Sequence, residues 1–250
     1  MMDHRVYCDL LEPELVRLAA AIGAAEPGAA VPGCDGWTAL DLAQHVGVVH
    51  RWATRLVETA ATARIPFREV PVEYPAHWGD YPGWIEEGGR ALVAALRAVD
   101  GAAPVWAWGP DQHMRFWSRR QFHEVMVHRV DAERAAGLSP AIDPVHAVDA
   151  IDEFLENISS GRGSGPAVAA ACAAGPGTVH LHATDADGEW MIHLAADGYR
   201  WERGHGKGDA AVRAPVADLL LLTYGRRAPE GLEVFGDQAL LTRWCEASRL

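Results

Sequence analysis

Lysine is nearly missing from this chain: Lys207 is the single lysine among 22 basic residues in 250. Positive charge is scarce altogether, because 34 acidic residues bring the formal net charge to −12. That balance excludes nucleic acid and anionic membrane as principal partners, since both are held by a basic face. A local basic pocket for a small anion stays compatible with it. Cysteine is sparse and scattered. Cys8, Cys34, Cys172 and Cys245 show no C-x-x-C spacing, and they read as free, mostly buried thiols of a reducing compartment. No run of about 18 apolar residues occurs, and the opening Met-Met-Asp-His-Arg carries no apolar leader region. The expected location is therefore the cytoplasm. The shortage of lysine beside abundant arginine and alanine points to a GC-rich genome, a property of the host and not of the fold.

What is present suffices for a sizeable core: 49% of the residues are hydrophobic and 22% charged, and the length suggests two domains. The first half carries helical periodicity. Leu10, Leu11, Leu15, Leu18 and Ala19 share a face over 9–25, and Leu40, Leu42, Val46, Val49, Trp52, Ala53 and Leu56 mark a second, longer helix. Thr38 with Asp41 three residues on is close to a capping box. Four prolines make 66–82 a loop, helices follow over 84–99 and 116–136, and a helix over 144–158 completes a bundle. Ser159 to Pro166 is rich in serine and glycine but lacks the Gly-Lys-Ser/Thr ending of a phosphate-binding loop, and it reads as a linker. Beyond it the period shortens towards 2, with strands near 178–184, 190–194, 199–201, 210–212 and 232–235 and helices over 216–224 and 238–247. The expected organisation is a helical bundle over 1–158, a linker over 159–166 and a small α+β domain over 167–250.

The sharpest chemical pattern lies between Arg119 and Asp131. Glu124 and His128 are four apart on a predicted helix, so both side chains leave one face about a turn apart and could chelate one ion. His123 and His128 are five apart, about 140° around a helix, which rules out the paired-histidine zincin arrangement. A third ligand must come from elsewhere, and His45 is the best candidate, with Gly47 beside it permitting close helix approach. His50 faces away from His45 by the same geometry. Two histidines and a carboxylate leave one coordination position open, as catalytic zinc sites require. The same spacing also serves an i,i+4 pair on a solvated face.

The stretch Gly36-Trp37-Thr38-Ala39-Leu40-Asp41-Leu42-Ala43-Gln44-His45 resembles the first signature of the mycothiol-dependent maleylpyruvate isomerase family. Glu124 to Asp131, Glu-x-x-x-His-Arg-x-Asp, resembles the second. Leu221 to Arg227 and Gly236 to Trp244 are similar to the family's C-terminal domain. The departure is small: Cys34-Asp35-Gly36 replaces a Pro-Gly before Trp37, which alters a turn. The resemblance implies a DinB-like four-helix bundle followed by a sterol-carrier-like α+β domain, and zinc at His45, Glu124 and His128. It also implies mycothiol, the small thiol of actinobacteria, as cofactor or co-substrate. A coordinated thiol is deprotonated, and the thiolate is the nucleophile. In an isomerase it adds to an electron-poor double bond, permits rotation and leaves; in an S-transferase the adduct is released. Arg226 matches a family arginine suited to a substrate carboxylate, a role that competes with that of a solvated residue after a helix. Arg129 and Asp131 are expected to brace the metal helix, and Trp37 to pack the start of the second helix.

Three functions fit these residues. One is a mycothiol-dependent zinc isomerase or S-transferase acting on a small, anionic electrophile. Another is a zinc hydrolase with bound water. The third is a non-catalytic protein that binds a metal or an apolar ligand.

Overall fold

The helical periodicity of the first half is realised as four long helices: α1 (His4–Ala24), α2 (Ala39–Glu58), α3 (Tyr81–Arg97) and α4 (Met114–Ala135). In this computed structural model the described residues are 2–158 and 164–249. They fall into two units, Met1–Pro140 and Ala141–Leu250. Three of these helices start where local chemistry dictates. Asp3 accepts from the Arg5 amide to cap α1. Thr38 and Asp41 form a complete capping box on α2, with Thr38 N on Asp41 Oδ2 at 2.8 Å and Asp41 N on Thr38 Oγ1 at 3.3 Å. Pro82 sits in the first turn of α3, where its missing N–H costs nothing.

Packing follows the apolar stripes. Both α1 and α2 lie against α3 and α4, so the four helices form a ring with α1 across from α2. Leu11, Leu15, Leu18, Leu42, Val46, Leu56, Ile85, Leu92 and Leu96 fill its centre, each contributing roughly 1.5–3 kcal/mol by leaving water. Gly47 is required where it stands, because a Cβ there would overlap the ring of Trp84 from α3. The close approach expected from Gly47 is thus a tryptophan lying across α2. The α4 helix buries charge, and Arg129 is neutralised by Glu14 of α1 and Glu133 of α4, each at 2.8 Å. A buried charge demands such pairing. Trp52, Trp106, Trp108, Phe116 and Trp117 meet, mostly edge to face, in one aromatic cluster, which packs the tryptophan-rich loop against the core.

The second unit holds α5 (Pro144–Asn157), α6 (Ser164–Ala173), β1 (Gly177–Ala183), β2 (Glu189–Ala195), β3 (Gly198–Arg203), β4 (Ala210–Ala214), α7 (Val216–Thr223), β5 (Glu233–Gly236) and α8 (Gln238–Ser248). The sheet order is β3-β2-β1-β4-β5, parallel between β1 and β4 and antiparallel elsewhere. Val179, Leu181, Trp190, Ile192 and Val212 are buried, while Thr178, His180 and His182 of β1 point to the opposite face of the sheet. Two features differ from the sequence expectation. The division falls at 140/141 and not after 158, because α5 packs on α7 and is tied to the sheet. Its Asp152 accepts from Trp190 Nε1 at 2.8 Å and from Arg203, and Phe154 meets Tyr224. In the stretch expected as linker, 159–163 lie outside the described residues, and Ser164 to Pro166 begin helix α6. Proline is tolerated in a first helical turn, so Pro166 does not end the element. No helix among the described residues is long and apolar enough to cross a membrane.

Candidate metal centre

Helices α2 and α4 bring His45, Glu124 and His128 together. His45 Nε2 lies 3.3 Å from Glu124 Oε1, and His128 Nε2 lies 3.2 Å from the same oxygen. One ligand atom from each of the three lies within 4.8 Å of the others. The i,i+4 spacing on α4 accounts for two of them. The third is supplied because α2 packs on α4 with His45 facing it. The other histidines go elsewhere. His123 points to α1, its ring 6.1 Å from that of Tyr7. His50 is fully buried in the bundle. It is not among the three residues whose ligand atoms converge.

Each member of the cluster is held by a further group. Asp131 Oδ2 is 3.0 Å from His128 Nδ1, which turns Nε2 towards Glu124. That is the carboxylate–histidine pairing that orients metal ligands. Arg120 reaches the second oxygen of Glu124 at 3.2 Å. Trp37 lies parallel to His128, with ring centres 6.5 Å apart, and meets His45 edge-on at 5.0 Å. Its expected role in packing the start of α2 therefore includes walling the cluster. The Cys34 thiol donates to Asp131 Oδ2 at 3.7 Å. The small departure at Cys34 thus does more than alter a turn, and one cysteine does meet a carboxylate. Cys8 and Cys245 are different: burial pushes their thiols up to about 11 and about 12, which leaves them unreactive.

Electrostatics couple the three residues tightly. Burial would raise the Glu124 carboxyl, but the charge of His128, hydrogen bonds from His128 and His45, and Arg120 hold it well below the usual carboxylate range. Burial opposes protonation of His128, yet Glu124 and Asp131 outweigh it and lift the imidazole to about 9. Protons and a divalent ion would compete for the same nitrogen atoms. Beside His45 an open depression of about 600 Å³ is lined by Trp37, Gln44, Val48, Val49, Phe67 and Tyr74, room for a small organic molecule.

The N-terminal domain of mycothiol maleylpyruvate isomerase matches residues 8–133, and the MDMPI C-terminal domain matches residues 145–243. The chain belongs to the mycothiol maleylpyruvate isomerase family. That places it among enzymes. Two solved structures share its fold across 93% of both chains. The mycothiol-dependent maleylpyruvate isomerase aligns with a TM-score of 0.60 at 14% identity. A histidine-to-alanine mutant of a mycothiol-dependent maleylpyruvate isomerase aligns at 0.64 with 15% identity. Comparison with curated proteins gives no match. The N-terminal family match contains His45, Glu124 and His128, and the C-terminal match contains Arg226. Arg226 is buried just beyond α7 of the second unit. Its backbone amide donates to Leu221 O at 2.7 Å and its Nη1 to Tyr224 O at 3.0 Å. It is not the solvated residue that the competing reading requires.

Proposed function

We propose that this chain is a zinc-dependent enzyme using mycothiol as thiol cofactor or co-substrate, an isomerase or thiol S-transferase for a small anionic electrophile. The observation that carries the proposal is the convergence of His45 Nε2, Glu124 Oε1 and His128 Nε2 from two helices, within a domain matching a mycothiol enzyme. The donor set fits zinc: two imidazoles and one carboxylate, with a carboxylate behind one imidazole. Among the described residues no further His, Cys, Asp or Glu joins these three, so one coordination position is left for an exogenous ligand. The ion, when bound, supplies a site at which a thiol loses its proton. Glu124 contributes one negative charge, so a thiolate would complete neutrality with a divalent ion. Asp131 fixes the tautomer of His128, Arg120 restrains Glu124, and Trp37 shields one flank. Arg226 is the proposed partner for the substrate carboxylate, a role supported by its family match and by the bidentate geometry of guanidinium.

A cobalt-loaded sample tests the thiol role. Adding mycothiol should produce a sulfur-to-metal absorption band in the wild-type chain and none in His128→Ala. A spectrum indifferent to saturating mycothiol would overturn the thiol reading in favour of hydrolysis.

A further inference from the structure

In the second unit, strands β1 and β2 set up a different donor group. His180 and His182 are two apart on β1 and therefore share one face of the sheet. Glu189 of β2 is the register partner of His182. The loop after β3 folds back to add His205. The Glu189 carboxylate gathers all three imidazoles: His180 Nε2 is 3.0 Å and His205 Nδ1 2.7 Å from Oε2, and His182 Nδ1 is 3.2 Å from Oε1. The three rings stand nearly perpendicular to one another, with centres 5.5–6.3 Å apart. One ligand atom from each of the four residues lies within 4.8 Å of every other. Around a tetrahedral zinc ion, donors at about 2.0–2.2 Å are themselves roughly 3.3–3.6 Å apart, so modest side-chain rotation brings these four into position.

The loop is shaped for this approach. It reads Gly204-His205-Gly206-Lys207-Gly208. A Cβ on Gly208 would meet the backbone of His180 at 3.0 Å, and one on Gly206 would meet Met191 at 3.0 Å. Glycine therefore lets the loop lie directly on the sheet over His180, which is buried although it faces away from the apolar core. His205 is 78% exposed, so burial does not hold it there.

The geometry points to a second divalent transition-metal site, formed by His180, His182, Glu189 and His205, that clasps the 204–208 loop onto β1 and β2. Three imidazoles and one carboxylate select zinc or a neighbouring transition ion over calcium or magnesium, which take oxygen ligands. Four protein donors fill a tetrahedron, so this site is closed and structural. It is independent of the thiol chemistry proposed for the helical unit.

Lys207 provides a direct readout. It is the only lysine of the chain, so a lysine-specific protease has one place to cut, inside the clasped loop. The purified full-length chain should bind two equivalents of zinc. His205→Ala, a change at an exposed side chain that leaves the core alone, should retain one. Saturating zinc should slow cleavage at Lys207 by about tenfold or more in the wild type, because cutting requires the loop to open. The same protection should appear in His45→Ala and vanish in His205→Ala and His182→Ala. Zinc stoichiometry unchanged by His205→Ala, or cleavage at Lys207 indifferent to zinc, would overturn the site. If the wild type binds a single equivalent, the variants assign it. Loss in His205→Ala would sink the helical site instead, and retention there would sink this one.

Discussion

The two histidine–carboxylate clusters are built on opposite backbone geometries. In the helical unit, an i,i+4 pair on α4 meets one residue from α2, and the result is three donors with His128 8% and His45 35% exposed. In the sheet unit, an i,i+2 pair on β1 meets a register partner on β2 and a residue from a glycine loop, giving four donors. Helices place ligands a turn apart and leave the position between elements open. A strand pair with a loop laid over it would surround an ion. The supporting groups differ in the same sense. Asp131, Arg120 and Trp37 each orient a member of the three-donor cluster, which suits a centre whose geometry must be held while a ligand exchanges. In the sheet cluster the interactions run mainly among the donors themselves, which suits a fastener.

That contrast can be broken most sharply at His128. Replacing it by alanine should remove the metal of the helical unit and with it Lewis-acid catalysis worth several kcal/mol, about a thousand-fold or more in mycothiol-dependent turnover. Protection of Lys207 by zinc should be untouched. Full turnover in a demetallated His128→Ala protein would end the assignment. Next in size is Arg226→Ala. Loss of one charge-assisted contact to a buried carboxylate costs about 2–5 kcal/mol, a roughly 30-fold or greater fall in kcat/KM with both metals retained. Normal kcat/KM in a folded, metal-loaded variant would remove Arg226 from the site. Asp131→Asn should weaken metal affinity of the helical unit by about 10- to 100-fold, measured by competition with a chelator, and leave the sheet unit at its wild-type affinity. Equal weakening of both would mean a global defect.

The smallest effect concerns His50, a buried histidine outside the proposed ligand set. Desolvation pushes His50 down to about 3 from an ordinary 6.5. The native state thus keeps His50 neutral while the unfolded chain takes up a proton below pH 6.5. Its contribution to stability is therefore intact above that pH and is lost progressively as pH falls towards 3. The slope is about 1.4 kcal/mol per pH unit at most. Denaturant melts between pH 7 and 4 should show a shallower loss in His50→Leu than in wild type. Parallel curves would mean that His50 does not carry the acid sensitivity of the bundle.

Much of the first cluster is legible in the sequence because its cues are local. The spacing of Glu124 and His128, the Thr38–Asp41 cap and the open stretch before α3 follow from helical period and turn chemistry within a few residues. His45 is legible as a candidate, and the family motif gives it weight. The second cluster has a local signal too: His180-Leu181-His182 in an alternating strand, a short turn, and then Glu189. What hides it is His205, which joins only because a loop lies down on the sheet.

By itself the sequence determined where helices and strands run and which residues share a face, since both depend on a fixed backbone period. It could not decide which element covers which. The apolar stripe of α5 shows that the helix is buried on one side, yet only the bonds of Asp152 to Trp190 and Arg203 assign it to the sheet. Nor does any local rule place Cys34 beside Asp131, 97 residues away in the chain. It does not stack Trp37 on His128, and it does not bring His205 to Glu189. Such contacts are set by how preformed surfaces dock and how loops close between them, and that is the information that a backbone period does not carry.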